Sequence, residues 1–170
     1  MLRHYRLGLG VALGLVYPVA TFFGSTASAQ VASDVVGTWI LVSSVTDKDG
    51  ARTDQFGSGA KGMLTLDADG RFMLTIIGPD LPKFASNNRT KGTDAENAAA
   101  VHGALNYFGT YTIDEPSKSI TVMIEASSYP NFVGETQKRT LSVSGDELQV
   151  INAAPSGGGG VATQIWKRAK

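Results

Sequence analysis

The chain has 170 residues, a balanced charge of 15 Lys and Arg against 15 Asp and Glu, and no cysteine. The lack of cysteine excludes a disulfide framework, a thiolate metal site and a lipid-modified cysteine, so stability must come from burial of apolar surface. The charge balance gives no reason to expect nucleic acid or an acidic membrane surface as a partner.

The first residues have the pattern of a secretory signal. A basic start at Arg3–Arg6 precedes an apolar run, Leu7–Phe23, and a small-residue site, Ala27-Ser28-Ala29. This order predicts cleavage after Ala29 and a secreted or periplasmic protein without a stable membrane anchor. The alternative is a retained anchor, since the apolar run is near the minimum length that spans a bilayer. Pro18 within the run and the cleavage site favour removal.

The rest of the chain, residues 30–170, is expected to form one domain with a net charge of −2. A domain of this length buries roughly two thirds of its unfolded surface and needs no covalent support. We expect a monomer or a weak dimer.

From Val35 onward, short β-rich runs separated by turn residues predict an all-β antiparallel meander of eight strands. The predicted strands are Val35–Thr46, Lys61–Leu66, Arg71–Ile77, Asn106–Ile113, Ser119–Ser127, Thr136–Ser144, Glu147–Asn152 and Val161–Arg168. Tight hairpins are predicted at Asp67–Gly70, Asp114–Lys118 and Gly145–Asp146. Closing the meander into a barrel would remove its exposed edges, and eight strands leave an interior that just admits one small ligand.

The segment GTWILVSS places Trp39 in the first strand, after Gly37. A rigid indole that needs one hydrogen-bond partner is a suitable plug for a narrow barrel bottom, and glycine lets the backbone approach closely.

A long connection, Gly78–Leu105, interrupts the meander. Within it, Thr93 and Glu96 have the spacing of a capping box, followed by a helix-favouring sequence. We therefore predict one short helix of about three turns between the third and fourth predicted strands. Such a connection can act as a lid over one barrel end, or merely plug it.

Five segments, in order, resemble the bacterial lipocalin-like domain family: GTWILVSSVTDKDG, KGMLTLDADGRF, DAENAAAVHGALNYFGTYTIDE, SSYPNFVGETQKR and IWKR. The resemblance implies an eight-stranded calycin-type barrel around a cavity. Some members of the family occur beside natural-product biosynthesis, where they are proposed to act as cyclases, isomerases or carriers. Members often carry histidines at the positions of Val122 and Met123, so His-dependent chemistry at those positions is not implied here.

Other candidate motifs favour structural interpretations. His102 is the single histidine of residues 30–170 and falls in the predicted helix, where a solvated residue is more common than a general base. The DADG segment at Asp67–Gly70 lacks the distal ligands of a calcium loop. The glycine run Pro155–Gly160 lacks the Lys-Ser/Thr of a phosphate-binding loop and leads into a strand. We expect no metal and no cofactor.

Strand pairing decides whether a polar constellation forms inside the barrel. Hairpin counting places Tyr107 opposite Glu125, and Arg139 near Asn152. Between the fifth and sixth predicted strands, one register sets Glu125 opposite Arg139, giving an inward acid–Arg pair that could orient a polar ligand group. The other register matches the apolar faces, keeps Arg139 inside and turns Glu125 outward beside Lys138, where an ion pair contributes little. The alternation slightly favours the second register.

The predicted interior is mostly apolar or aromatic. Small residues on the strands, Ser43, Gly62, Gly109 and Ala126, are consistent with space for a ligand, although strand glycines also mark bends. Arg139 has an alternative structural role, covering an aromatic ring such as Trp39. The residues predicted to contact a ligand are Trp39, Phe72, Tyr107, Tyr111, Glu125 and Arg139.

Three functions are compatible with these sequence features. The first is a carrier for a small hydrophobic or amphipathic molecule, with Arg139 or a tyrosine hydroxyl at its polar end. The second is a filled structural barrel without a ligand. The third is a cofactor-free isomerase or cyclase that uses Glu125, Tyr107 or Tyr111 as acid or base in a dry cavity. We rank them in this order and assign no catalytic residue.

Overall fold

The computed structural model describes residues 33–170, which fold into a closed antiparallel barrel of eight strands with a ninth strand attached. The predicted export signal, residues 1–29, lies outside the described residues. The strands are β1 (Gly37–Lys48), β2 (Ala51–Asp54), β3 (Lys61–Leu66), β4 (Arg71–Ile77), β5 (Ala104–Asp114), β6 (Ser119–Ser127), β7 (Thr136–Ser144), β8 (Glu147–Asn152) and β9 (Val161–Arg168). Helix α1 (Asp94–His102) lies between β4 and β5.

Pairing between the first and last strands closes the barrel. The sheet order is β2-β1-β3-β4-β5-β6-β7-β8-β9, and β1 also pairs with β9. Strand β2 pairs only with the last residues of β1, so it extends one end of the barrel as a hairpin. We call the end with the tight turns 67–70, 115–118 and 145–146 the closed end. The opposite end, with the connections 55–60, 78–103, 128–135 and 153–160, is the mouth.

The structure confirms the predicted all-β barrel, and six of the eight predicted strands coincide with observed strands residue for residue. Strand β2 is not among the predicted strands because its four residues, Ala51–Asp54, are all exposed and have no apolar alternation. The predicted capping box of α1 is also confirmed. Thr93 Oγ1 accepts the amide of Glu96 at 3.2 Å, and Glu96 Oε2 accepts the amide of Thr93 at 2.8 Å.

The two tryptophans fill the closed end. Trp39 and Trp166 are both fully buried, and Trp39 Nε1 donates to the carbonyl of Val35 at 2.8 Å. The position of Trp39, three residues into β1, confirms its predicted role as a plug of the barrel bottom. The closed end is therefore sealed by large rigid side chains, and access to the interior must come from the mouth.

Two predicted registers are wrong. Tyr107 lies opposite Ser127, not Glu125, because the hairpin pairing is offset by one residue from the prediction and a bulge after Phe108 adds one more. On the other side of β6, Arg139 lies opposite Ile120, so neither predicted register of β6 with β7 is correct. The connection between β6 and β7 contains a 3-10 turn, Pro130–Phe132. The pairing of β6 with β7 ends at Met123, so the last residues of β6 extend beyond it.

The face assignment of the second predicted register nevertheless holds. Arg139 points into the barrel and is 8% exposed, whereas Glu125 lies on the outer surface. Glu125 pairs with Arg71 rather than with Lys138, and Lys138 lies 3.7 Å from Asp114. The alternation of apolar residues along a strand decides which side chains point into the barrel. Sliding one strand along its neighbour by an even number of residues leaves that assignment unchanged.

The strand glycines do not create space for a ligand. A Cβ atom on Gly109 would collide with the carbonyl oxygen of Met123 at the β5–β6 bulge, and one on Gly62 would lie 2.8 Å from the carbonyl oxygen of Thr75. Both glycines therefore permit close approach of neighbouring strands.

Candidate functional site

The barrel interior contains a small inner cavity with a volume of about 30 Å³. This volume holds roughly two water molecules, so most of the interior is filled by side chains. Its walls are apolar except for two inward polar residues, Arg139 and Gln164, and the hydroxyl-bearing Tyr107. The lining residues are Leu64, Leu66, Phe72, Leu74, Tyr107, Ile120, Val122, Arg139, Leu141, Val150 and Gln164.

A second cavity of about 20 Å³, here called the neck, lies between the inner cavity and the mouth. It shares Tyr107, Arg139 and Gln164 with the inner cavity. Its other walls include Phe56 and Leu105, which are partly buried and pack against the core. Arg139 therefore stands where the neck meets the inner cavity.

At the mouth, the neck leads into an open depression of about 610 Å³, here called the vestibule. The two spaces share Gln55, Phe56, Leu105 and Ser156. Inner cavity, neck and vestibule thus run in series from the barrel centre to the surface. Arg139 lines the two inner spaces, and the neck lies next to the open vestibule.

Loops and the end of α1 build the vestibule. Val101 and His102, the last residues of α1, form one wall, and the glycine-rich β8–β9 connection contributes Ser156–Gly158. The helix buries none of its own residues, and Glu96 ties it to the preceding loop by accepting the amide of Ala85 at 2.8 Å. The long connection therefore borders the mouth, as both the lid and the plug interpretations require. His102 lies at the vestibule wall.

Arg139 is a buried cation without an acidic partner. Its Nη2 donates a hydrogen bond to the side-chain oxygen of Gln137, a neutral group two residues away on β7. None of the ion pairs within residues 33–170 includes Arg139. The sequence prediction of an inward Arg139 is correct, and the acid that the less favoured register would set beside it, Glu125, lies on the outer surface.

Aromatic rings wall the space next to Arg139. The Tyr107 ring makes edge contacts with Phe72 and Phe132, with ring centroids 5.7 and 5.9 Å apart. Tyr129 extends this cluster toward the vestibule, with its centroid 5.1 Å from that of Phe132. Phe72 and Tyr107, both predicted as ligand contacts, thus lie together with Arg139 along the inner cavity.

The other three predicted contacts lie elsewhere. Trp39 is at the closed end, where Arg168, not Arg139, covers its ring at 4.1 Å from the centroid. The Tyr111 hydroxyl donates to the carbonyl of Asp67 at 2.6 Å, and burial, with a smaller effect of the Asp67 charge, raises the pKa of this phenol. The assignment of Arg139 to Trp39 is therefore wrong, because β9 rather than β7 flanks β1.

Glu125 occupies the outer surface at the β5–β6 bulge. Its two carboxylate oxygens accept hydrogen bonds from Arg71 at 3.3 and 2.8 Å. Hydrogen bonding and charge attraction from Glu125 raise the pKa of Arg71. The inward triad of Tyr107, Glu125 and Arg139, which only the less favoured register would produce, does not form.

Comparison with known proteins agrees with this architecture. The family model for the lipocalin-like domain matches residues 36–169. The chain belongs to this family. It is also 30% identical, over 86 residues, to a protein of Aspergillus oryzae named 4'-hydroxy-3'-methoxypropiophenone carrier protein ppsC. The matched part is 47% of this chain and 78% of that protein.

Several residues that line the spaces of this lipocalin-like barrel are not among the predicted contacts. Gln164 could have been predicted to point inward, because it lies on the same face of β9 as Ala162 and Trp166, which are buried. No sequence pattern could have placed Gln55 and Phe56 at the site, because they lie in a connection whose path depends on tertiary packing. Gln55 accepts a hydrogen bond from Ser44 Oγ at 2.7 Å, which holds it at the mouth.

Within residues 33–170, no group of three or more His, Cys, Asp or Glu side chains is placed to hold a metal ion. Asp67 Oδ1 accepts the amides of Asp69 and Arg71 at 3.0 and 2.8 Å, which confirms the predicted hairpin turn. Across residues 33–170, no helix is both long and apolar enough to cross a bilayer.

Proposed function

We propose that this protein is an exported carrier that binds one small hydrophobic or amphipathic molecule at the barrel mouth. The observation that carries the proposal is the adjacency of the vestibule, the neck and the inner cavity, which share lining residues between the barrel mouth and the buried Arg139. The relative named as a carrier protein supports the same function. Export is inferred from the signal pattern of residues 1–29.

The cavity volumes limit where such a molecule lies. The vestibule, at about 610 Å³, falls within the range of small-molecule sites, roughly 300–1,000 Å³. The inner cavity and neck accept only a few atoms. We therefore place the body of the ligand in the vestibule and its polar end in the neck, near Arg139 and Tyr107.

The walls of the vestibule fit a molecule with both apolar and polar parts. Phe56, Leu105 and Tyr129 offer apolar or aromatic surface, whereas Thr53 and Gln55 offer hydrogen-bonding groups. The ligand named for the Aspergillus oryzae relative is a propiophenone with hydroxy and methoxy groups. A small substituted aromatic compound of this kind is our proposed ligand class.

The two other functions have less support. The cofactor-free enzyme loses its best candidate for an acid or base, because Glu125 lies outside the barrel, bound to Arg71. The filled structural barrel is favoured by the small inner cavity. The variant Arg139→Ala distinguishes the two functions. In a carrier it should abolish ligand binding while the fold is retained, whereas in a structural barrel it should only unfold the protein.

Two measurements test the carrier proposal. Native mass spectrometry of the protein purified gently from its own periplasm should show a stoichiometric extra mass that denaturation releases. Calorimetric titration should show binding of 4'-hydroxy-3'-methoxypropiophenone, used as a neutral aromatic probe. A protein that carries no extra mass and binds no probe contradicts the proposal.

A matched pair of variants locates the binding site. Ser156 is exposed where the vestibule meets the neck, and Ser144 is exposed at the closed end. Ser156→Trp should weaken binding of the neutral probe at least tenfold by filling the mouth. Ser144→Trp adds the same side chain at the far end and should leave the affinity unchanged. Equal effects of the two variants would place binding elsewhere.

A further inference from the structure

We propose that the molecule carried by this protein bears a carboxylate that pairs with Arg139. This inference rests on the proposed carrier function and specifies the chemical class of the ligand. It derives from the burial of Arg139, the absence of Asp and Glu from the lining of the inner cavity and the neck, and the adjacency of the neck to the open vestibule.

The first step is the free-energy cost of burying the charged guanidinium of Arg139. The residue is 8% exposed, and the hydrogen bond that its side chain makes goes to the uncharged amide of Gln137. Buried charges in proteins are normally paired, since an ion loses much more hydration energy on burial than a neutral hydrogen bond returns. The barrel interior therefore holds a cation that a bound anion would stabilise.

The second step is the composition of the surrounding walls. The residues that line the inner cavity and the neck include no Asp or Glu. Asp54, the acid that lines the vestibule, lies on β2 outside the neck. Arg139 therefore gives this part of the site a positive charge that attracts anions.

The third step concerns the neighbouring polar groups. The side chains of Tyr107 and Gln164 line both the inner cavity and the neck, and neither makes a side-chain hydrogen bond within residues 33–170. A phenol hydroxyl and an amide nitrogen both donate hydrogen bonds. A bound anion can thus accept hydrogen bonds from these two groups in addition to the guanidinium.

The final step selects the kind of anion. The planar guanidinium binds a planar carboxylate through two parallel hydrogen bonds. The cavities on either side of Arg139, about 30 and 20 Å³, leave space for a small planar head group but not for a ring. We infer a carboxylic acid whose compact head group lies beside Arg139 and whose aromatic or apolar body lies in the vestibule, joined by a narrow linker in the neck.

The test compares two probes of nearly equal shape, 3-phenylpropanoate and 3-phenylpropanamide, by calorimetry at pH 7. The wild-type protein should bind the acid at least tenfold more tightly than the amide. Arg139→Gln should abolish this preference. Arg71→Gln removes an exposed arginine on the outer surface and should leave the preference intact.

Three results would overturn the inference: equal binding of acid and amide, a preference that persists in Arg139→Gln, and absence of binding by both probes. Each is distinguishable from failure of the carrier proposal, which is tested with the neutral propiophenone and by native mass spectrometry.

A second variant separates a binding role from a structural one. Arg139→Met keeps a long side chain and removes the charge. Because an unpaired buried cation opposes folding, the ligand-free variant should melt at or above the temperature of the wild type. The rise in melting temperature that 3-phenylpropanoate causes in the wild type should be absent. A marked fall in the melting temperature of the ligand-free variant would assign Arg139 to the structure and overturn the inference.

Discussion

The guanidinium carbon of Arg168 lies 4.1 Å from the centroid of the Trp39 ring, and Nη1 of the same side chain donates to the carbonyl of Val36 at 2.8 Å. A further hydrogen bond joins Arg168 to the carbonyl of Asp34. The last strand is thereby fixed to the first strand and to the residues before it. One side chain thus reinforces the β1–β9 pairing that closes the barrel.

We expect Arg168→Ala to lower the free energy of unfolding by about 2–3 kcal/mol, since a cation–π contact and charged hydrogen bonds to carbonyls are lost. Arg168→Lys should fall between the alanine variant and the wild type, because lysine keeps the charge but not the planar stacking. Urea unfolding measures both values. Lys167→Ala, an exposed neighbour on β9, is the control and should change stability little.

Gly109 provides a second test of the fold. A Cβ atom at this position would collide with the backbone of Met123, so Gly109→Ala must displace β6 or remove the bulge. We expect a loss of about 2 kcal/mol or more, as in overpacked cores, measured by urea unfolding. Gly157→Ala is the matched control, because a Cβ there meets no atom within 4 Å. Equal stability of the two variants would contradict the described bulge.

The attachment of α1 should depend on pH. Hydrogen bonds from the amides of Ala85 and Thr93 lower the pKa of Glu96 below its ordinary value of 4.5. A lowered folded-state pKa means that the stabilisation is complete above 4.5 and is lost as the pH falls through the lower folded-state value. An NMR titration of the Glu96 carboxyl and of the α1 amide signals measures this transition.

Glu96→Gln is the control for that titration. It removes the titrating group, so the shift of the α1 amide signals that follows Glu96 should disappear. A Glu96 pKa at or above 4.5 in the wild type would contradict the two amide hydrogen bonds.

Export predicts a defined N-terminus. The intact mass of the protein recovered from the periplasm should correspond to a chain that begins at Gln30, because the small residues before it form a cleavage site. Ala29→Tyr should block processing, since a bulky residue does not fit such a site. Full-length wild-type protein in the membrane fraction would instead indicate the retained anchor.

Most strand positions were predictable from the sequence, whereas the short exposed strand β2 and the β6–β7 register were not. Apolar alternation fixes which residues face inward, and it correctly placed Arg139 inside and Glu125 outside. It does not fix how far one strand slides along its neighbour by an even number of residues. The β6–β7 offset depended on the path of the connection 128–135, which contains the 3-10 turn Pro130–Phe132.

The site was predictable only where it lies on regular strands. Phe72, Tyr107 and Arg139 follow from alternation, and each lines the inner cavity. The vestibule is built from connections such as 153–160, whose paths depend on tertiary contacts. The sequence likewise did not show which arginine covers Trp39. That contact depends on the pairing of the first strand, β1, with the last strand, β9.

The chain enters and leaves the barrel at the same end. The Ala169 amide donates to the carbonyl of Thr38, and Arg168 bonds to Asp34 and Val36, so residue 33 and Lys170 both lie beside the closed end. An affinity tag, a fluorescent fusion partner or a sensor chip attached through Lys170 would therefore be remote from the mouth. Molecules immobilised in this way should all present their openings to the flowing solution.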